Sequence, residues 1–124
     1  MTTNLQTQTD LRAAFEDIKA LVLAGKAMEA FEKYYGEDVV MQENENPETV
    51  GKAANRDREL EFFSKITEFR GMALKAVAFG EDVIISEWSY DYTHADWGSR
   101  TYDQVSVQRW RDGKVVHERF YYVV

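Results

Sequence analysis

The chain contains no cysteine. That absence removes disulfide staples, thiolate nucleophiles and thiolate metal sites together. Proline occurs once, at Pro47, and no Pro/Gly/Ser-rich linker divides the 124 residues. No apolar run approaches the ~18 residues of a membrane span, and the opening MTTNLQTQTD has neither a basic region nor an apolar core. A soluble cytoplasmic protein with no membrane partner is expected. Positive charge is scarce, with 15 Lys and Arg against 22 Asp and Glu, for a net charge of -7. Such a surface repels phosphate backbones, so nucleic acid is not an expected partner either. The two histidines, His94 and His117, fall on opposite parities of different strands, and no HxH or HExxH occurs, so no metal site is expected. No glycine-rich loop opens a helix, and Ser86, Ser89, Ser99 and Ser106 lack the sharp-turn signature of a nucleophile. No cofactor is expected.

What is present reads as one globular domain over 1–124, with residues 1–9 as a loose N-terminal tail. Asp10 is placed to N-cap a first helix carrying Leu11, Phe15, Ile18 and Val22 at helical spacing, stopped by Gly25. A second helix is predicted from Lys26 to Tyr35, ended by Gly36, followed by a short strand over Asp38 to Glu43 and the polar loop ENENPET. A third helix is predicted from Lys52 to Thr67. At about 100° per residue, its face through Ala53, Leu60, Phe63 and Ile66 also carries Asn55, Arg56 and Glu59. That face is polar early and apolar late, which marks either the mouth of a cavity or an exposed helix end.

From residue 69 onward the period changes to two. Strands are predicted over Gly71 to Phe79, Val83 to His94, Arg100 to Arg111 and Lys114 to Val123, with turns at Gly80-Glu81-Asp82 and Asp112-Gly113. The stretch EWSYDYTHADW puts Trp88, Tyr90, Tyr92 and His94 on one face and Glu87, Ser89, Asp91 and Thr93 on the other. One parity of the next strand carries Tyr102, Gln104, Ser106, Gln108 and Trp110, and one parity of the last carries Glu118, Phe120 and Tyr122. Were the three sets to share a face, an ordinary core would not need Gln104, Gln108, Glu118 and His94 on it, because a buried polar group costs free energy unless it is hydrogen-bonded. Either an ordinary packed sheet face or the lining of a pocket fits this pattern.

Three strings in this order, YYGEDVVMQEN, GEDVIISEWSYDYTH and VQRWRDGKVVHERFYY, resemble the nuclear transport factor 2-like superfamily. Within it they are similar to the SnoaL-like branch, which includes polyketide cyclases and ketosteroid isomerases. The resemblance implies an α+β fold, a cone-shaped cystatin-like barrel with three N-terminal helices packed on a curved antiparallel sheet. It also implies that these sets from the last two strands share the inner face with Trp88, Tyr90, Tyr92 and His94. A cavity for a small hydrophobic or aromatic ligand, and pairing into a homodimer through the convex sheet face, are implied with it. The isomerase branch places its general base at the end of the first strand, and Glu43 falls there; a carboxylate at an apolar rim is a better base near neutrality. The isomerase oxyanion partners, a tyrosine and a protonated aspartic acid, correspond here to Ile18 and Ser106, so steroid isomerisation is not implied.

Tyr90, Tyr92, Tyr102, Gln104 and His94 are substitute donors, and Asp96 and Glu118 are further acidic candidates. Glu118 could instead pair with Arg56 or Arg109. Three functions follow. The first is a cofactor-independent isomerase, cyclase or hydrolase acting on a hydrophobic carbonyl compound, with Glu43 as base and Tyr92 or His94 as donor. Its binding wall would comprise Arg56, Trp88, Tyr90, Gln104, Gln108, Trp110, Glu118, Phe120 and Tyr122. The second is a binding module using the same cavity without turnover. The third is a dimeric interaction protein whose cavity its own side chains fill.

Overall fold

The computed structural model describes residues 2–123, with side chains from Asp10 onward. Helix α1 runs Thr2–Leu23, so Asp10 lies inside it rather than capping it, and the backbone of residues 2–9 continues the helix where a tail was expected. Leu11, Phe15 and Ile18 are buried along one stripe, as their spacing requires. Gly25 ends this segment at φ 78°. Its N–H bonds to the Val22 carbonyl at 3.1 Å while the Lys26 N–H reaches Leu21 at 2.8 Å. This paired closure demands a left-handed residue, which glycine supplies without a Cβ clash.

Helix α2 (Ala27–Tyr34) buries Ala30 and Phe31 and passes directly into strand β1 (Tyr35–Glu43). Gly36 therefore lies within a strand instead of ending a helix. The polar loop closes with a two-residue strand β2 (Thr49–Val50). Helix α3 occupies Lys52–Ser64, shorter than expected, because Ile66 already belongs to β3 (Ile66–Phe79). Its inward side is also turned from the apolar stripe expected: Lys52 and Asn55 are buried, whereas Leu60 and Phe63 are exposed by 49% and 38%. Asn55 is fully buried and its Nδ2 donates to the carbonyls of Thr49 (3.0 Å) and Gly51 (2.9 Å), with Val39 at 3.4 Å. One side chain thus ties α3 to β1 and β2.

Strands β4 (Val83–His94), β5 (Gly98–Arg111) and β6 (Lys114–Tyr122) complete a six-stranded sheet in the order β2-β1-β6-β5-β4-β3. It is mixed and not purely antiparallel, since β1 lies parallel to β6. The sheet curves around the helices without closing, leaving β2 and β3 as its edges. Register shifts interrupt β3 at three places, where extra residues bend it relative to β4. By contrast β4 and β5 pair without a break from Val83↔Arg109 to His94↔Gly98. The core fills one end, where Phe15 meets Phe79 edge-on at 5.9 Å and Trp88 at 6.4 Å. Among the described residues no helix is long and apolar enough to cross a membrane.

Candidate functional site

Register decides what the inner sheet face presents. Because β4, β5 and β6 pair antiparallel, Trp88 stands beside Gln104, which stands beside Tyr122. One row away Ser86, Ser106, Phe120 and Glu43 align across four strands, and the next row sets Ile84, Gln108, Glu118 and Met41 side by side. The sheet wall is therefore aromatic at one level and polar at the neighbouring one. Between it and the three helices lies a cavity of about 760 Å³. Phe15, Ile18 and Val22 line it from α1, Phe31 from α2, and Arg58, Glu59 and Phe62 from α3.

Its polar end is built around one guanidinium. Arg58 donates from Nη1 to Glu43 Oε2 at 2.7 Å and from Nη2 to Glu59 Oε1 at 3.0 Å. The other oxygen of Glu43 accepts from the Tyr122 hydroxyl at 2.7 Å. Glu59 is pushed up to about 7, chiefly by burial; Arg58 opposes the shift, while the charges of Glu118 and Glu43 add to it.

Beneath this, Glu118 is buried and accepts from Ser106 Oγ at 2.6 Å, from Gln108 Nε2 at 3.0 Å, and from the Tyr35 hydroxyl. Burial still raises its carboxyl above the ordinary range despite those donors. Desolvation also pushes the Tyr35 phenol well up, with the Glu118 charge adding to it. Along the aromatic wall, the Tyr92 and Tyr102 hydroxyls share a 2.6 Å hydrogen bond, and Tyr102 stacks on Tyr122 at 5.1 Å. Burial holds all three phenols above their ordinary range.

Of the residues expected at the site, Glu43, Trp88, Tyr90, Tyr92, Gln104, Gln108, Glu118, Phe120 and Tyr122 all line this cavity, as do Tyr102 and Ser106. His94 does not. It is buried in a stack with Trp97 (3.8 Å) and Phe62 (5.8 Å), and its Nδ1 accepts the Asp96 backbone N–H at 3.1 Å. Trp110 packs in the core against Tyr34 at 6.0 Å. Arg56 leaves the cavity to form a two-pronged pair with Glu32 at 2.6 and 2.9 Å, and Asp96 pairs with Lys65 at 2.7 Å on the surface. Glu118 pairs with neither Arg56 nor Arg109, because the former points to α2 and the latter is exposed on the outer face. The reading from sequence missed Arg58 as a site residue and gave Glu59 no role. The available signal was the helical spacing Asn55, Glu59, Phe62, which runs beside the apolar stripe and faces the sheet.

A family model described as a SnoaL-like domain matches residues 11–118. No curated protein matches the chain significantly. Among solved structures, a proposed SnoaL-like polyketide cyclase from Mesorhizobium loti is 27% identical; the match covers 90% of this chain and 98% of that one, with a TM-score of 0.82. A second proposed SnoaL-like polyketide cyclase, from Jannaschia sp. CCS1, is 9% identical, with 94% and 87% covered and a TM-score of 0.79. TerC, co-crystallised with polyporic acid, is 16% identical over 90% and 89%, at a TM-score of 0.72. The latter two share the fold alone. With the family model spanning α1 to β6 and the helix-and-curved-sheet architecture common to all three structures, this chain belongs to the SnoaL-like domain family.

Proposed function

We propose that this protein binds a small, largely apolar carbonyl compound in its central cavity and performs cofactor-independent proton transfer on it, as an isomerase, cyclase or hydrolase. The observation that carries this reading is the pairing of an aromatic wall with a polar end in one space of about 760 Å³, where Glu43, Glu59 and Glu118 meet Arg58 and five tyrosines. Apolar walls supply affinity, and the few polar groups fix orientation. Carboxylates held in poorly solvated surroundings are suited to moving protons near neutrality. The likeness to two proposed polyketide cyclases and to a protein crystallised with polyporic acid points to the same ligand class.

A second reading, a binding module without turnover, is favoured by one feature: both oxygens of Glu43 and both of Glu118 are held by internal donors. One experiment separates the two. The protein is titrated with polyporic acid and with neutral aromatic 1,3-diketones, while thermal stability, tryptophan fluorescence and products by mass spectrometry are followed. Binding raises Tm with ligand concentration and quenches Trp88 and Trp97, which line the space. Stabilisation with product supports the enzyme, stabilisation without product the module, and absence of saturable binding across the panel sinks both. Self-association through the outer sheet face, where Ile85 and Tyr121 are exposed by 42% and 43%, is part of this proposal; a monomer by sedimentation equilibrium would refute it.

A further inference from the structure

The proposed reaction needs a proton acceptor, and hydrogen bonding inside the protein sorts the candidates. Glu43 has Oε2 engaged by Arg58 and Oε1 by Tyr122. Glu118 has Oε1 engaged by Tyr35 and Oε2 by Ser106 and Gln108. Glu59 differs. Its Oε1 accepts from Arg58 at 3.0 Å, while Oε2 has no partner among the described residues. No buried side-chain oxygen or nitrogen among them lacks a partner, so this oxygen is open to the cavity it lines.

The donors of the sheet wall sort the same way. Tyr92 and Tyr102 bond each other, Tyr122 bonds Glu43, and Tyr35 bonds Glu118. The Tyr90 hydroxyl and the Gln104 carboxamide line the cavity with no partner among the described residues. One carboxylate oxygen that can accept a proton is thus left for a ligand, and the donors left beside it are the Tyr90 hydroxyl, the Gln104 carboxamide and the one proton that the Tyr92–Tyr102 pair does not use.

We propose that Glu59 is the proton-transfer carboxylate of this cavity and that Tyr90 binds the substrate's carbonyl oxygen, which makes the substrate a neutral carbonyl compound with an acidic C–H beside that carbonyl. This rests on the small-molecule reading above. Neutrality follows from the charges at the polar end, where Glu43, Glu59 and Glu118 face the single guanidinium of Arg58. In the reaction Glu59 Oε2 takes the α proton. The C–H electron pair becomes the enolate double bond, and the carbonyl pair moves onto the oxygen, which accepts the Tyr90 hydrogen bond. Return of the proton at another carbon completes an isomerisation. Attack of the enolate carbon on a second carbonyl of the same molecule closes a ring, and the proton goes to the resulting alkoxide. No oxidant or co-reactant is required.

The titratable groups coupled to Glu59 come from three elements besides its own. Arg58 adjoins it on α3, Glu43 acts from β1 and Glu118 from β6, while Tyr35 on β1 and Tyr90 on β4 are themselves raised by the Glu59 charge. Burial and the two neighbouring carboxylates outweigh Arg58, which places Glu59 at about 7, where acceptor and donor forms coexist at neutral pH.

The test uses 5-nitrobenzisoxazole, a neutral probe whose C–H proton is lost to a base while the N–O bond breaks, giving a coloured cyanonitrophenolate. Its binding is followed by tryptophan quenching and its opening by absorbance across pH. The wild-type rate is expected to rise through about pH 7 as Glu59 ionises. Glu59→Gln should bind the probe but lose on the order of 10²-fold in rate, and Tyr90→Phe should lose less. Glu43→Gln should move the midpoint of the profile to lower pH, because a negative charge beside Glu59 is gone. A flat wild-type profile, which needs no variant to fold, overturns the assignment, and so does a Glu59→Gln rate equal to wild type. Saturable binding without opening overturns the assignment and leaves the ligand-binding reading standing; absence of binding removes both.

Discussion

Replacing Glu59 with glutamine has a consequence for folding that is independent of any ligand. The Glu59 carboxyl stands at about 7 against an ordinary value of 4.5. A carboxyl raised in the folded state holds its proton there after the unfolded chain has released it. Between those two values the native state therefore binds more protons, and stability falls as pH rises. At ~1.4 kcal/mol per unit, the whole shift from 4.5 to about 7 corresponds to at most about 3.5 kcal/mol. Solvent still reaches 19% of the Glu59 side chain, so screening reduces this, and about 1–2 kcal/mol is expected.

Asp17, Glu32, Asp91 and Asp96 are all held below their ordinary values, so their losses lie at more acidic pH, outside this window. Glu118 is raised like Glu59 but is common to both proteins and cancels to first order in the comparison. Urea unfolding at about pH 5 and about pH 8, below and above most of the titration, measures the difference directly. Wild type should lose more stability over this interval than Glu59→Gln, by that 1–2 kcal/mol. Equal losses in the two proteins would mean that Glu59 is solvated like a surface carboxylate, and the picture of a poorly hydrated polar end would fail.

Other perturbations probe the frame that holds the site. Asn55→Ala removes the side-chain donor from the carbonyls of Thr49 and Gly51, the latter keeping the backbone N–H of residue 55 at 3.1 Å, and should cost about 1–2 kcal/mol; it should also speed hydrogen exchange at the Gly51 amide, which bonds Val39 at 2.8 Å. Phe15→Ala removes a ring only 2% exposed that contacts Phe79 and Trp88, with an expected loss of about 3–4 kcal/mol in urea unfolding. Gly113→Ala puts a Cβ on a residue at φ 76°, beside Asp112 at 53°. It should lower stability by about 1 kcal/mol, and no change in Tm would argue against a strained hairpin there.

The strand region was readable in advance because its signals are local. Asp112-Gly113 names its own turn type, and both residues take the positive φ that the turn requires. Strict alternation from Val83 to His94 assigns each side chain a face, and Trp88, Tyr92 and His94 are buried on the one anticipated. Helix α3 was misread for a physical reason. Its apolar residues Leu60 and Phe63 stay partly exposed, and its inward stripe carries polar side chains whose partners come from β1 and β2. Hydrophobic periodicity tracks burial only where burial is apolar.

His94 shows the limit of parity even where the strand is right. Alternation puts it on the inner face, but the short turn into β5 brings Trp97 down onto its ring at 3.8 Å and removes it from the cavity. The neighbour that covers it is on the far side of a turn, and no alternation rule reports how a turn folds back.

By itself the sequence determined the globular class, the change from helical to strand period, the inner faces of β4, β5 and β6 and the family to which these add up, because each depends on neighbours a few residues apart. Only the tertiary structure decided that β1 returns to lie beside β6, and that the guanidinium of Arg58 bridges Glu43 and Glu59. It also decided that Glu59 keeps one oxygen open while Glu43 and Glu118 do not. Hydrogen-bond saturation depends on groups brought together from distant parts of the chain, and the chemistry available to a carboxylate follows from which partners the fold leaves it.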